Sequence, residues 1–246
     1  MDLQSERPSD DVLSDRRRRF LQTTATAGVA LLVPGTAMAS RADEKKGKDE
    51  EEVSAAEDLM REHGVLNRIL LVYEEGLRRL RGKDEVPPAV FQRTATLVRK
   101  FVEDYHAKLE EKFLFPEFEK QKKLVDLVKV LRKQHDAGRA LTDVILRETS
   151  PERFRKEDGR QELVRACEAF IRMYRPHEAR EDTVLFPALH KLMSAKRLKE
   201  LGEQFEKEED RLFGDEGFEK TVDQVAAIEK QLGIHDLDLF TPRPPK

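Results

Sequence analysis

The chain of 246 residues has no tryptophan, one cysteine, few aromatics and little net charge, and each shortage closes off a class of protein. Cys167, being alone, forms no internal disulfide, and one thiolate is too few to hold an iron–sulfur cluster. Its setting, Ala166-Cys167-Glu168-Ala169-Phe170, is an apolar helical stretch, so the thiol reads as packing, with a reactive cysteine as the alternative. The formal charge is only -3, and Lys and Arg are interleaved with Glu and Asp throughout. No basic field exists to grip phosphates, which argues against nucleic acid as a partner. No segment sustains the period-two alternation of a half-buried strand, so the chain offers no case for a sheet. What it has in quantity is charge. With 39% of residues charged against 38% hydrophobic, it fits one soluble domain with appendages better than two separate cores.

The first 39 residues read as an address. Arg16-Arg17-Arg18-Arg19-Phe20-Leu21-Gln22 leads into a mildly apolar run from Thr23 to Val33, then Pro34-Gly35 and Ala37-Met38-Ala39. A basic start, a short apolar middle and a small-residue end are the order of a cleavable signal peptide, with Ala39 its expected last residue. The apolar run is well short of the roughly 20 residues that cross a bilayer. With Arg17-Arg18-x-Phe20-Leu21 as its core, the segment resembles a bacterial twin-arginine signal, an address read by a receptor and not an anchor. That resemblance implies export of a folded protein to the periplasm or another extracytoplasmic space, with no stable membrane anchor after cleavage. Residues 40–53 are nearly all charged or small and read as a solvated linker.

Beyond the linker the pattern is helical. Ser54-Ala55-Ala56-Glu57 is a capping box, and Leu59, Leu66, Leu70, Tyr73, Leu77 and Leu80 follow at helical spacing up to Gly82. Pro87-Pro88 suits the first turn of a second helix whose stripe is Val98, Phe101, Val102, Tyr105, Leu109 and Phe113. A third runs from about Lys123 to Glu148 with Leu124, Leu127, Leu131, Leu141 and Ile145 inward. A fourth follows Ser150-Pro151 and a polar stretch, carrying Leu163, Ala166, Phe170, Tyr174 and Val184. Two more, very charged, cover roughly 194–213 and 217–232, and the proline-rich tail cannot continue them.

The chemistry lies in a repeat. His106-Ala-Lys-Leu-Glu110-Glu111-Lys-Phe-Leu-Phe-Pro116 and His177-Glu-Ala-Arg-Glu181-Asp182-Thr-Val-Leu-Phe-Pro187 share His-x3-Glu-acid-x2-Leu-Phe-Pro, and Arg61-Glu62-His63 matches Lys133-Gln134-His135 upstream. The mature core is thus two related hairpins, each with one histidine on its first helix and a His-x3-Glu on its second. At about 1.5 Å per residue the chain runs roughly 28 Å from His63 to Gly82 and regains roughly 27 Å from Pro88 to His106, so both histidines fall at one height. Residues four apart share a helix face, which turns each His-x3-Glu toward the apolar stripe. One histidine on such a stripe is ordinarily a satisfied core residue. Four at matched positions, with two glutamates, are costly to bury without cations. Imidazole with carboxylate suits iron, zinc, copper or manganese. Pro116 and Pro187 are expected to kink or stop their helices just past the site, and Pro176 to aim His177.

These motifs resemble the hemerythrin-like, or HHE cation-binding, family over roughly residues 54–193. The resemblance implies an all-α, up-down-up-down four-helix bundle around two iron ions, here with additional C-terminal helices over 194–246. By analogy His63 and His106 hold one iron, His135 and His177 the other, and Glu110 and Glu181 bridge them, with zinc or manganese as other metals. Oxygen-carrying hemerythrins have a further histidine one turn after the third-helix ligand. Here that position is Arg139, as Asn67 follows His63. The expected site is therefore more open and symmetric, less suited to reversible carriage and more prone to oxidation or peroxide chemistry, unless Glu111, Asp182 or Glu178 completes the shell. Glu111 and Asp182 otherwise support the ligands or face solvent. Tyr105 and Tyr174 either hydrogen-bond to the site or pack, and His190 and His235 lie outside it. Three functions follow. One is a protein that binds oxygen, nitric oxide or a related small ligand for sensing, storage or buffering. The others are a peroxidase or oxidase acting on peroxide or ferrous iron, and a structural zinc or iron-storage protein.

Overall fold

The structure, a computed structural model, describes residues 54–82 and 84–243. The expected signal peptide and linker, residues 1–53, lie outside them. Among the described residues all regular structure is helical. Helix α1 (Ala55–Gly82) opens with the reciprocal capping box: the Glu57 N–H donates to Ser54 Oγ at 3.2 Å and the Ser54 N–H to Glu57 Oε2 at 3.3 Å. Helix α2 runs without a break over 88–120, and α3 is Val125–Glu148. After the short α4 (Pro151–Arg155), helix α5 runs over 157–192. Two appended helices follow, α6 (Ala195–Phe213) and α7 (Gly217–Leu232), then a 3-10 turn, Leu237–Phe240.

Each long helix packs on its neighbours in sequence, and α5 returns to α1, which closes a square of four around one apolar core. The third helix starts two residues later than the periodicity predicts. Lys122 and Leu124 take positive φ, 54° and 51°, to turn the chain, so Leu124 becomes a partly exposed turn residue and not a core one. Helices α6 and α7 cover α1 and α2. Phe213 and Phe218 lie 5.9 and 6.3 Å from Phe101, and Arg68 makes a two-pronged hydrogen bond to the buried Glu229 at 2.8 and 2.6 Å.

The prolines do not end their helices. Residues Glu110–Leu114 in α2 and Glu181–Leu185 in α5 are wound as π-helix, and the chain continues through Pro116 to Lys120 and through Pro187 to Leu192. The Phe115 N–H donates to Glu110 O and the Phe186 N–H to Glu181 O, five residues back in each case. The widened turn relieves the clash that a proline ring makes with the preceding turn, so the helix continues past it. A further π segment, Val98–His106, leads into the second histidine. Pro176 sits inside the α-helical segment Glu157–Arg180, which runs unbroken past it.

Candidate metal centre

Six side chains from the four long helices meet in one layer of the core: His63 from α1, His106 and Glu110 from α2, His135 from α3, His177 and Glu181 from α5. All are buried, and Glu110 and Glu181 are 0% exposed. His63 Nε2 lies 3.1 Å from His106 Nε2, and Glu181 Oε2 stands 3.3 Å from His63 Nε2 and 3.1 Å from His177 Nε2. Glu110 Oε2 lies 3.7 Å from His106 Nε2 and 3.3 Å from His135 Nε2. Each carboxylate therefore stands between one histidine of each hairpin. Two groups have ligand atoms within 4.8 Å of one another, Glu110 with His135, His177 and Glu181, and His63 with His106 and Glu181.

The outer nitrogens explain why the inner ones converge. His63 Nδ1 pairs with Asp182 Oδ1 at 2.7 Å, His106 Nδ1 with Glu62 Oε2 at 2.7 Å, His135 Nδ1 with Glu111 Oε1 at 3.1 Å and His177 Nδ1 with Gln134 Oε1 at 2.9 Å. An amide oxygen or carboxylate accepts, so each Nδ1 carries the proton and, in the neutral ring, each Nε2 presents a lone pair inward. Those lone pairs face the Glu110 and Glu181 oxygens, and none of these four oxygens has a hydrogen-bond donor. Lone pairs facing lone pairs in a dry core are repulsive unless cations sit between them. The residues present thus fit a pair of metal ions.

The ionisation of these groups without metal tells the same story. Burial opposes charge on His63, yet the hydrogen bond to Asp182 and the negative charge of Glu181 prevail and hold its pKa well above the ordinary 6.5. His135 rises to about 9, again against burial, through Glu110 and Glu111. Burial pushes His106 down to about 4. Burial and the neighbouring Glu181 raise Glu110, whereas the surrounding imidazoles outweigh burial and lower Glu181.

The repeat also explains residues whose roles its spacing left open. Glu111 belongs to the first hairpin but supports His135 of the second, and Asp182 of the second supports His63 of the first. The phenylalanines of the two Leu-Phe-Pro segments cross over in the same way. Phe115 stacks on His135 at 5.5 Å and Phe186 on His63 at 5.5 Å. Glu62 and Gln134, each one residue before a first-helix histidine, hold the second histidine of their own hairpin. The matched Arg61-Glu62-His63 and Lys133-Gln134-His135 were the available signal for that role.

Arg139 does not enter the layer. Its Nη2 donates to Glu111 Oε1 at 2.6 Å and its Nη1 to Asp136 Oδ1 at 3.1 Å. Asn67 Nδ2 donates to Glu178 Oε2 at 2.5 Å and to His63 O at 3.0 Å. The surroundings of the two histidine pairs are accordingly not symmetric as expected, because the residues at matched positions differ in charge. The Tyr105 hydroxyl turns to Glu209 Oε2 at 3.5 Å on α6. The Tyr174 ring meets His177 edge-on at 5.3 Å, and its hydroxyl fits where Gly138 lacks a Cβ. His190 is exposed, and His235 pairs with Glu229 at 3.0 Å, so neither joins the six. Cys167 is buried and its pKa is raised by that burial, as packing requires.

Comparison with known proteins agrees with this geometry. Residues 54–150 match the family model of the hemerythrin HHE cation binding domain, a span that includes His63, His106, Glu110 and His135. His177 and Glu181 lie beyond it and are supplied by the repeat. Two proteins of Mycobacterium tuberculosis and one of Mycobacterium bovis, each named only as uncharacterized, are 47% identical over 232 residues, covering 92% of this chain and 91% of theirs. No solved structure matches the chain. The chain belongs to one family with these mycobacterial proteins and carries, over residues 54–150, a hemerythrin HHE cation-binding domain.

Proposed function

We propose that the protein is a non-haem di-iron protein in which His63 and His106 hold one iron, His135 and His177 the other, and Glu110 and Glu181 bridge them. It binds oxygen, nitric oxide or a related small ligand for sensing, storage or buffering. The observation that carries this proposal is the pair of fully buried carboxylates, with four donorless oxygens between inward-facing imidazole lone pairs. Bound iron supplies redox and Lewis-acid chemistry. The chain's own residues fix the imidazole tautomers through Asp182, Glu62, Glu111 and Gln134, and keep the layer dry through Phe115 and Phe186. The test is metal analysis of anaerobically purified protein, followed by absorption spectra with oxygen, nitric oxide and hydrogen peroxide. Two irons and a reversible ligand spectrum are expected, and zinc alone would overturn the proposal.

Arg139 favours a second function, a peroxidase or ferrous oxidase. Position 139 is an arginine, turned to Glu111 and Asp136, so the His135–His177 half lacks the extra imidazole of an oxygen carrier. Catalytic loss of peroxide in the same assay would select it. Export belongs to either function: residues 1–39 act as a twin-arginine-type signal cleaved after Ala39, leaving a periplasmic or extracytoplasmic protein. Among the described residues no helix is long and apolar enough to cross a membrane. Fusing the leader to a reporter exported only when folded tests this, and replacing Arg17 and Arg18 by Lys is expected to abolish export.

A further inference from the structure

The support of His106 does not end at Glu62. Beside the ligand in sequence stands Tyr105, 1% exposed, whose hydroxyl hydrogen-bonds with the Glu62 side chain and donates, at a long 3.5 Å, to Glu209 Oε2 on α6. Burial, then the charges of Glu62 and Glu209, push the phenol well above its ordinary range, so it stays a donor. One O–H serves one carboxylate at a time, so the two share it. Glu209 is held in place by α7: its Oε1 accepts the Phe218 N–H at 2.7 Å in the first turn, where a carboxylate suits the helix N-terminus. The turn between α6 and α7 is too tight for a side chain at Gly217, whose Cβ would stand 2.7 Å from Phe213 Cβ and 3.0 Å from Glu209 Oε1. Phe213 meets the Tyr105 ring edge-on at 5.5 Å, and the Arg61 guanidinium lies over Phe218 at 4.5 Å. In the repeat, Tyr105 corresponds to Pro176, which has no hydroxyl, so this line reaches one half only.

We infer that α6 and α7 tune His106 as a metal ligand through this hydroxyl: Glu209 competes with Glu62 for the hydrogen bond of Tyr105, which makes Tyr105 and Glu209 positioning residues. The inference rests on the two-metal proposal above. A hydroxyl donated to Glu62 draws charge from the carboxylate that accepts His106 Nδ1–H, and His106 Nε2 becomes the weaker ligand. With Glu209 in place the hydroxyl is drawn aside and Glu62 keeps its hold on His106. The docked C-terminal hairpin therefore raises metal affinity in the His63–His106 half, and whatever lifts the hairpin from the bundle lowers it.

The test is titration of the metal-free protein with cobalt(II), read by calorimetry and by the visible absorption of bound cobalt. The chains compared are the native one, Glu209→Gln, Tyr105→Phe and the double variant, with Glu62→Gln to mark the first-half equivalent and Glu181→Ala as control. Glu209→Gln keeps an oxygen for the Phe218 N–H but removes the charge that draws the hydroxyl. Removing a residue that supports a metal-bound histidine costs about 10–100-fold, so Glu209→Gln, one group further out, should weaken the marked equivalent by about three- to tenfold and leave the other unchanged. Tyr105→Phe should leave the marked equivalent at least as tight as in the native chain, and in that background Glu209→Gln should have no effect. A merely structural role would weaken binding in both single variants. Circular dichroism establishes that each metal-free variant is folded, and where Tyr105→Phe is not, Glu209→Gln alone carries the test. No weakening in Glu209→Gln, equal weakening of both equivalents, or the same weakening with Phe at 105 would overturn the inference, while loss of metal in Glu181→Ala leaves the two-metal proposal standing. If Glu181→Ala keeps both metals, that proposal itself fails.

Discussion

The two halves of the metal centre use the same ligand types in the same repeat, yet they stand in different electrostatic surroundings. His63 and His106 lean on two carboxylates, Asp182 and Glu62. His135 and His177 lean on Glu111, which Arg139 partly neutralises, and on the uncharged Gln134. An imidazole that donates Nδ1–H to a carboxylate is a more basic ligand and stabilises a higher metal charge. The repeat thus keeps hydrogen-bond positions constant and varies charge at them. On the di-iron proposal, the His63–His106 half would favour the tighter, more oxidised metal and the His135–His177 half the more reducible one.

The strongest way to break this comparison is to remove a bridge. Glu181→Ala should abolish binding in both halves. The native protein gains about 2.7 kcal/mol at metal a hundredfold above Kd, and the variant should show no metal-dependent rise in Tm. Exchanging the supports sharpens the comparison. Glu62→Gln should weaken the first half by roughly 10–100-fold and Gln134→Glu should tighten the second by a similar factor, as calorimetric titration reads.

A pH series separates the histidines. His135, raised to about 9 from its ordinary 6.5, stabilises the metal-free protein fully below about pH 6.5, and that contribution is lost as pH rises through about 9. Metal needs the neutral ring, so its affinity should climb across the same window with proton release, while His106, at about 4, has no proton to give there. Thermal melts of the metal-free protein and proton release on loading check the opposite slopes. The smallest effect is expected at Arg139→Leu. Losing a partly exposed ion pair worth ~1 kcal/mol should tighten the second half less than about fivefold.

The helices and the ligand layer were legible in the sequence because each rests on local rules. The capping box fixed the start of α1, and the matched His-x3-Glu motifs sat on apolar stripes. What escaped was what spacing does not encode. The crossed support of His135 by Glu111 and of His63 by Asp182 depends on which helices become neighbours, and a residue beside a ligand reads equally as solvated. The π turns at Glu110 and Glu181 escaped because proline usually signals a stop, although its recurrence six residues after each glutamate was a trace of them. Leu124 looked apolar and inward until the turn before α3 claimed it. The symmetry expected from the repeat failed at Gln134 and Arg139, whose identities were plain but whose partners were not.

The Mössbauer spectrum of protein loaded with isotope-enriched iron tests the central claim most directly. Two doublets of equal area, from two irons in unequal surroundings, are predicted. A single doublet, or the signal of one isolated iron per chain, would contradict it.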